Sequence, residues 1–381
     1  MNIIIIGAGI SGLTAARALL NLGHTVQVYE AATVLREIGA GVVLGANAMQ
    51  ALDRLGLHAA VRAQGQPVTD LSLLDQQGRL LHAANTRPFS ERLGYENIGI
   101  HRAALQQALL SQLPPEAVQL NKQFERFEAH ESTVTVYFTD GTTTTGDALL
   151  ATDGIHSRVR RQLLPAAIPR YAGYTCWRAV TDASELQLPA GQSVEVWGSR
   201  GRRFGYVPLA DGRVYWFACV NSAQPGNPAF RSLSLPQVHQ LFIDLPAPVP
   251  ALLGLTHEDQ LIWGDILDLK PLAHFAYGRV LLLGDAAHAT TPNLGQGAGQ
   301  AVEDAAVLAN CLTQKTNIAD AFRDFERQRR GRTTRITTTS RQMGEVGQWQ
   351  QPLLVLLRNT TMRWLPAAIA SQQMRFIYQS I

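Results

Sequence analysis

The sequence contains little lysine, few cysteines and no long apolar segment. Only three of its 33 basic residues are lysine, and a net charge of +3 indicates no nucleic-acid partner. The three cysteines are far apart and in no metal-binding or redox spacing, so we expect small buried residues in a reducing compartment. No apolar run approaches the roughly 18 residues that a membrane span needs. The sequence therefore predicts no metal site, no disulfide framework and no transmembrane segment.

The start of the sequence carries the pattern of a dinucleotide-binding βαβ unit. Asn2–Ile6 is a short run typical of a buried parallel strand. Gly7, Gly9 and Gly12 follow in the spacing G-x-G-x-x-G, and then come a segment of helical period and a second strand that ends at Glu30. A strand that begins at residue 2 leaves no room for a signal peptide, so we expect a cytoplasmic protein.

Each part of this unit has a physical role. Gly7 allows the tight turn, Gly9 lets the backbone approach a pyrophosphate, and Gly12 lets the helix pack closely against the strand. The free N–H groups and the dipole at the start of the helix favour an anion there. Glu30 can accept hydrogen bonds from the hydroxyls of an adenosine ribose. Because all these parts occur in register, the segment predicts dinucleotide binding.

Elements of the nucleotide-binding type occur at both ends of the chain, around an interval of different composition. Residues 171–263 are rich in Trp, Tyr, Val and Pro and poor in helix signals, which favours a mostly antiparallel sheet. The predicted fold class is α/β: a Rossmann-like dinucleotide-binding domain with an inserted, mostly antiparallel β-sheet substrate domain and C-terminal helices. The glycine-rich stretch 38–45 is interpreted as a loop near the cofactor. The predicted boundaries are 1–67, 98–170 and 272–317 for the discontinuous nucleotide-binding domain, 68–97 and 171–271 for the substrate domain, and 318–381 for the C-terminal helical segment.

Three further motifs identify the chemistry. A buried strand ends at Asp153-Gly154, another ends at Gly284-Asp285, and a glycine-rich loop at 292–299 leads into a helix. Together and in this order, the motifs resemble the flavoprotein aromatic hydroxylases, which are single-component FAD monooxygenases of the p-hydroxybenzoate hydroxylase fold. The resemblance covers essentially the whole chain and is strongest to the salicylate hydroxylase, FAD-dependent urate hydroxylase and zeaxanthin epoxidase branch.

The resemblance implies a reaction and its partners. FAD would be reduced by NAD(P)H and would react with O2 to a C4a-hydroperoxide, which would hydroxylate or epoxidise a small aromatic or conjugated substrate. NAD(P)H would have no domain of its own, because the sequence contains one credible nucleotide fold. A monomer or homodimer without nucleic acid is expected. The apolar tail at 352–378 is expected to pack against the FAD domain, with a peripheral membrane contact or a dimer surface as the alternatives.

The resemblance also implies which residues hold the cofactors. Glu30 would bind the adenosine ribose, Arg102 the phosphates and ribitol, and Asp285 a ribitol hydroxyl, while Arg36 would lie close to the flavin. The positive N-terminus of the helix after the glycine-rich loop would stabilise the reduced flavin. The implied cofactor-binding residues are Gly7, Gly9, Gly12, Glu30, Arg36, Arg102, Asp153, Gly154, Asp285, Pro292, Gly295, Gly297 and Ala298, with Asp153 and Gly154 serving both FAD and NAD(P)H.

Candidate catalytic residues come from the inserted sheet. Arg203 and Tyr215 lie on two predicted strands of one hairpin, at positions that face the substrate in urate hydroxylases. An arginine would stabilise an anionic substrate and a tyrosine hydroxyl would orient it. Alternating aromatic residues on a sheet also serve packing, so that alternative stays open for both. Asn293 replaces an aspartate of the urate enzymes, which puts urate itself in doubt and leaves a hydrophobic aromatic or quinone-like substrate equally open.

Two groups of polar residues have structural interpretations. His288 follows the Gly-Asp motif and is interpreted as capping the turn rather than as catalytic. Residues 323–341 contain seven arginines in helical register with acidic residues, and we interpret them as a solvated helix face, with anion binding as the alternative.

Other functions of the same fold remain open. A flavin-dependent reductase or dehydrogenase would turn over its substrate without incorporating oxygen. The Trp-x-Trp-x-x-Pro signature of flavin halogenases is absent from the sequence. A non-catalytic binding protein of this fold would typically have lost the flavin motifs, which this sequence retains.

Overall fold

A computed structural model of the chain describes residues 1–35, 40–365, 372 and 375–379. The strands are β1 (Asn2–Ile6), β2 (Thr25–Tyr29), β3 (Gly41–Leu44), β4 (Gln66–Val68), β5 (Asp70–Asp75), β6 (Leu80–Asn85), β7 (Asn97–His101), β8 (Val118–Gln119), β9 (Phe124–Ala129), β10 (Val134–Phe138), β11 (Thr143–Gly146), β12 (Ala148–Ala151), β13 (Pro169–Asp182), β14 (Gln192–Trp197), β15 (Arg202–Pro208), β16 (Arg213–Asn221), β17 (Ile262–Leu269), β18 (Ala276–Tyr277) and β19 (Val280–Leu282). The helices are α1 (Ile10–Asn21), α2 (Ala46–Arg54), α3 (His58–Arg62), α4 (Arg87–Leu93), α5 (Arg102–Leu110), α6 (Arg158–Leu163), α7 (Pro228–Arg231), α8 (Leu235–Phe242), α9 (Val249–Gly254), α10 (Asp285–His288), α11 (Gly297–Gln314), α12 (Ile318–Gly347) and α13 (Pro352–Arg363).

A six-stranded sheet, in the order β18-β19-β12-β1-β2-β8, forms the nucleotide-binding layer. Its central strand β1 pairs in parallel with both β12 and β2. The carboxyl ends of these three strands therefore lie at the same edge of the sheet, although β12 is distant in sequence from the other two. Ile3, Ile4, Ile5 and Ile6 are all buried, as expected for an inner strand of a parallel sheet. The predicted β-strand, glycine turn and helix are confirmed here, and the sheet combines strands from chain segments that are far apart in sequence.

The inserted sheet has seven strands in the order β17-β13-β16-β15-β14-β5-β6. Every neighbouring pair is antiparallel except β14 and β5, so the prediction of a mostly antiparallel sheet is confirmed. One face carries the buried core residues Trp177, Phe204 and Trp216. The opposite face carries residues of the other parity, because successive side chains of a strand alternate. The exact domain boundaries stay predictions.

The glycine-rich stretch before α2 is a strand in its described part, which corrects the prediction of a loop. Gly41–Leu44 pairs antiparallel with β7, and β4 completes a three-stranded sheet. A Cβ at Gly41 would lie 2.4 Å from the Cβ of Tyr215. The glycine therefore permits close packing against the large sheet, which explains how a glycine-rich segment becomes a strand.

The arginine-rich segment of α12 is partly buried, so its interpretation as a solvated face was wrong at Arg329, Arg332 and Arg341. Arg329 is fully buried, with Nη1 at 2.7 Å from Glu303 and Nε at 2.7 Å from Asp304, both on α11. Arg332 also pairs with Glu303, at 2.8 Å. Arg327 does lie on the exposed side. For Arg329 and Arg332, the physical reason is the pair of acids on α11, which makes burial of opposing guanidinium groups tolerable.

Helix α13, the first part of the C-terminal tail, packs on the inserted sheet, whereas the prediction placed the tail on the FAD domain. The guanidinium of Arg358 on α13 is buried and donates to the carbonyls of Gly347, Trp197 and Gly198. The buried ring of Tyr378, near the C-terminus, packs against Gly45, the residue before α2. Within the residues described above, no helix is sufficiently long and apolar to span a bilayer.

Candidate functional site

The glycine loop after β1 lies at the carboxyl edge of the six-stranded sheet. Gly7 has φ +105°, and a Cβ there would lie 2.5 Å from the carbonyl oxygen of Thr152. A Cβ at Gly12 would lie 1.9 Å from the carbonyl oxygen of Gly7. Gly9 differs from both, because its missing side chain faces open space with no atom within 4 Å. Two glycines are thus required for packing, whereas Gly9 leaves room beside the start of α1.

A cavity of about 320 Å³ extends from this loop along the ends of β1 and β2. The Glu30 carboxylate is held at its wall, where it accepts hydrogen bonds from Ala8 N (2.8 Å) and Ala32 N (2.9 Å). Lys122 and Arg158 add positive charge to the lining. These two cations were not predicted, although Lys122 is one of only three lysines and lies three residues after the end of β8.

Asp153 closes the same cavity from the end of β12. Its Oδ2 accepts hydrogen bonds from Arg158 N (2.8 Å) and Val159 N (3.2 Å) at the start of α6. Its Oδ1 is buried and has no hydrogen-bond partner among the described residues. Burial raises the pKa of this carboxyl group. A buried acceptor without a partner costs free energy, so Oδ1 is suited to accept a hydrogen bond from a ligand hydroxyl.

A second cavity, also of about 320 Å³, lies between the glycine loop and the inserted sheet. Gly9, Ile10 and Arg102 line one wall, and Arg178 and Ile262 line the other. Arg102 is the first residue of α5 and is exposed. The two cavities share Gly9, so together they form a groove that passes across the N-terminus of α1.

The loop regions after β19 complete one side of the molecule near α1. Gly284 has φ +55°, and a Cβ added at Gly284 would lie 2.8 Å from Ser11 Oγ. Ser11 Oγ is buried and has no hydrogen-bond partner among the described residues. Asp285 follows as an exposed carboxylate at the first position of α10. Gly295 has φ +61° with open space around it, and α11 starts two residues later, at Gly297. Arg36 lies outside the described residues.

These features fit FAD. The open space at Gly9 and the free amides at the start of α1 suit a pyrophosphate. The fixed Glu30 carboxylate and the free Asp153 oxygen suit hydroxyl groups. The open glycine at 295 before α11 suits a planar ring against bare backbone.

Arg203 lies in a buried polar cluster on the inserted sheet. Its Nη2 donates to Asn293 Oδ1 (2.8 Å), its Nη1 to Glu195 Oε1 (3.1 Å) and its Nε to Gln348 Oε1 (2.7 Å). The Tyr174 hydroxyl donates to the same Asn293 oxygen at 3.1 Å. Burial opposes the charge on Arg203, but Glu195 and other neighbours outweigh it and raise the Arg203 pKa. The cluster therefore holds a permanent cation.

Asn293 connects this cluster to the glycine-rich loop. Its Nδ2 donates to Thr291 Oγ1 and to the carbonyl of Ser340 on α12, both at 2.8 Å. A Cβ at Gly344 would lie 2.4 Å from that nitrogen, and one at Gly347 would lie 3.0 Å from Arg203 Cδ. The glycines of α12 thus let this helix contact the cluster, which sequence analysis missed. Their spacing of three residues on one helix face was the available signal.

Tyr215 lies apart from this cluster, on the neighbouring strand β16. Its ring packs against Gly41, and its centroid is 6.1 Å from that of Phe217. Burial raises the pKa of its hydroxyl, so Tyr215 is neutral at physiological pH. The structure thus places both predicted catalytic residues on the inserted sheet but brings only Arg203 together with Asn293.

His288 has the structural position that the sequence indicated. It is buried, and its Nε2 lies 2.7 Å from Asp304 Oδ2, which also accepts a hydrogen bond from Gly284 N at 2.9 Å. Burial would raise the pKa of Asp304, but His288 and Arg329 outweigh it and lower the value to about 2. This charged network holds the turn that carries Asp285.

Comparisons with known proteins agree with this geometry. The family model described as FAD binding domain matches residues 1–339. The chain is similar to aurachin C monooxygenase/isomerase of Stigmatella aurantiaca, with 36% identity over 96% of this chain and 94% of that protein. It is also similar to the FAD-dependent urate hydroxylase of Klebsiella pneumoniae subsp. pneumoniae, with 33% identity over 91% of this chain and 90% of that protein.

A solved structure gives the same result at the level of the fold. Klebsiella pneumoniae HpxO complexed with FAD and uric acid superposes with a TM-score of 0.90 and 30% identity, over 99% of this chain and 96% of that one. The predicted resemblance and fold class are therefore confirmed. With a family model over most of its length and relatives above 30% identity across nearly all of it, this chain belongs to the FAD binding domain family, alongside FAD-dependent hydroxylases and monooxygenases.

Proposed function

We propose that this protein is an FAD monooxygenase that uses NAD(P)H and O2 to hydroxylate or epoxidise a small aromatic or conjugated molecule. The observation that carries the proposal is the groove across the start of α1, whose open glycine and free hydrogen-bonding groups fit FAD, in a chain of this family. FAD, when bound, accepts a hydride from NAD(P)H and activates O2. Because NAD(P)H supplies the electrons, we place the protein in the cytoplasm.

The residues of the chain would bind and orient the cofactor. Glu30 would accept hydrogen bonds from the ribose hydroxyls, and Asp153 would accept one from a further hydroxyl through its free oxygen. Gly9 would leave the pyrophosphate in contact with the first amides of α1, and Arg102 would balance its charge. Asp285 would accept a hydrogen bond from a hydroxyl of the ribitol chain. The N-terminus of α11 would stabilise negative charge on the reduced ring.

The substrate would be oriented by the buried cluster around Arg203. Three of its N–H groups are used by protein acceptors, and the guanidinium lies over the Tyr174 ring at 5.2 Å. The remaining N–H groups would donate to an oxygen or to an anionic centre of the substrate. Asn293 contributes no charge, so the substrate site differs electrostatically from one that contains an aspartate. We propose an electron-rich ring with an oxygen substituent as the substrate.

The experiment that tests this function is NAD(P)H oxidation in air by the FAD-loaded protein. Phenols, quinolones, quinones and purines including urate are compared, each against a blank without substrate. We expect one class to accelerate oxidation, and the product to gain the mass of one oxygen. A flat response by fully FAD-loaded protein across all classes would contradict the proposed substrate class.

Arg203→Met is expected to reduce substrate stimulation by about tenfold or more, because it removes a charge-assisted hydrogen bond worth about 1.5–3 kcal/mol. FAD affinity should change little, since Arg203 does not line the groove described for FAD. Stimulated and unstimulated rates and FAD titrations are the measurements. Arg213→Met, on the neighbouring strand and 38% exposed, is the matched control. Unchanged stimulation in the Arg203 variant would remove this residue from the substrate site.

A further inference from the structure

Arg178 on β13 is a half-buried cation to which the proposed reaction assigns no role. Its Nε is inaccessible to solvent and has no hydrogen-bond partner in the described part of the chain. The strand register places it opposite Phe217 on one side and Ile262 on the other, so its strand neighbours supply no acid. Gly264, whose added Cβ would lie 3.5 Å from Arg178 Nη2, leaves space for the guanidinium over β17. A half-buried guanidinium whose Nε is inaccessible and unpartnered carries a desolvation cost that a bound anion would offset.

The cavity in front of Arg178 has the charge to attract that anion. Arg178 and Arg102 both line it, and its lining contains no Asp or Glu among the described residues. The facing wall is Gly9 and Ile10 at the start of α1, a helix of 12 residues without an acid in its first turn. Free amides, a helix dipole and two guanidinium groups thus surround one space. Phosphate oxygens match this combination of donors better than a neutral aromatic ring does.

We propose that Arg178 is a phosphate-binding residue, through which the inserted sheet binds the pyrophosphate of a dinucleotide from the side opposite the glycine loop. This inference rests on the proposed function, because both dinucleotides of that reaction, FAD and NAD(P)H, carry the same pyrophosphate. Contact from both sheets would couple dinucleotide binding to the relative position of the two layers. The sequence concealed this role, since Arg178 follows a core tryptophan in a strand that resembles a purely structural one.

The test compares Arg178→Met and Arg178→Lys with the wild type, and Arg213→Met on β16 is the control for loss of an exposed arginine. One arm titrates apoprotein with FAD and follows flavin fluorescence, which requires no turnover. The other arm mixes FAD-loaded protein with NADH or NADPH without oxygen and obtains the apparent Kd from the rate of flavin bleaching. Thermal unfolding of each variant establishes that it is folded.

Arg178→Met should weaken the binding of one of the two dinucleotides by about tenfold or more, as expected for a lost ion pair with phosphate. Arg178→Lys should fall between that variant and the wild type. Weaker FAD binding would identify the pyrophosphate as that of FAD, and weaker NAD(P)H binding with unchanged FAD affinity would identify it as that of the reductant. A folded Arg178→Met protein with unchanged affinity for both dinucleotides would overturn this inference without affecting the proposed function. A wild-type protein that binds no FAD would instead overturn the proposed function.

Discussion

Replacing Arg329 by methionine is expected to lower the free energy of unfolding by about 3–5 kcal/mol, because it removes the buried cation that is shared by two buried carboxylates. Glu303 and Asp304 have no exposed side-chain surface, and Arg329 makes ion pairs of 2.7 Å with each. The same guanidinium also donates to Gln300 on α11. Methionine retains most of the volume, so the loss reports the charge rather than a cavity. Denaturant unfolding followed by circular dichroism measures it.

The matched control is Arg327→Met, two positions away on α12. Arg327 pairs with Asp324 at 2.8 Å, but its side chain is 72% exposed. Exposed pairs of this kind contribute about 0–1 kcal/mol, so the control should remain close to the wild type. Equal stability losses in the two variants would contradict the assignment of the buried network. Because Asp304 also binds Gly284 and His288, the Arg329 variant should retain FAD less tightly as well.

Gly9→Asp is expected to weaken FAD binding by roughly a hundredfold or more, because it places a carboxylate against the pyrophosphate and fills its space. Gly9 has φ −75°, and a Cβ added there would meet no atom within 4 Å, so the fold should tolerate the substitution. This separates it from Gly7 and Gly12, where any side chain collides with backbone. Flavin content after purification and FAD titration are the measurements.

Gly331→Asp is the control for this substitution. Gly331 is exposed on α12 and also has open space around its missing side chain. The Gly331→Asp substitution introduces the same residue far from the groove in sequence, so the FAD affinity of this variant should match that of the wild type. A folded Gly9→Asp protein that retains wild-type FAD affinity would show that the pyrophosphate does not lie at the start of α1.

Local patterns predicted the parts of the site that are built from neighbouring residues. The loop from Gly7 to Gly12 and the strand ends at Glu30 and Asp285 follow from period, turn residues and spacing within short windows. Contacts between distant segments could not be obtained in this way. Asn293 and Tyr174 are 119 positions apart, and neither one has a local signal for the other.

The buried Arg329 of α12 is a second example of a contact between distant segments that local patterns do not predict. Its helical register with nearby acids fits a solvated face, because i,i+3 and i,i+4 pairs occur on exposed helices. The decisive partners, Glu303 and Asp304, lie on α11 within an otherwise apolar stretch. Two adjacent acids in such a stretch were the available signal of a buried ion pair, but they do not identify the arginine that satisfies them.

The most direct test of the central claim is the origin of the oxygen in the product. The FAD-loaded protein is incubated with NAD(P)H, the stimulating substrate and oxygen-18 gas in ordinary water, and the product is analysed by mass spectrometry. We expect one oxygen-18 atom in each product molecule, with NAD(P)H consumed in proportion. A product that carries no label, or a substrate that is reduced without gaining oxygen, would contradict the assignment as a monooxygenase and favour a reductase of the same fold.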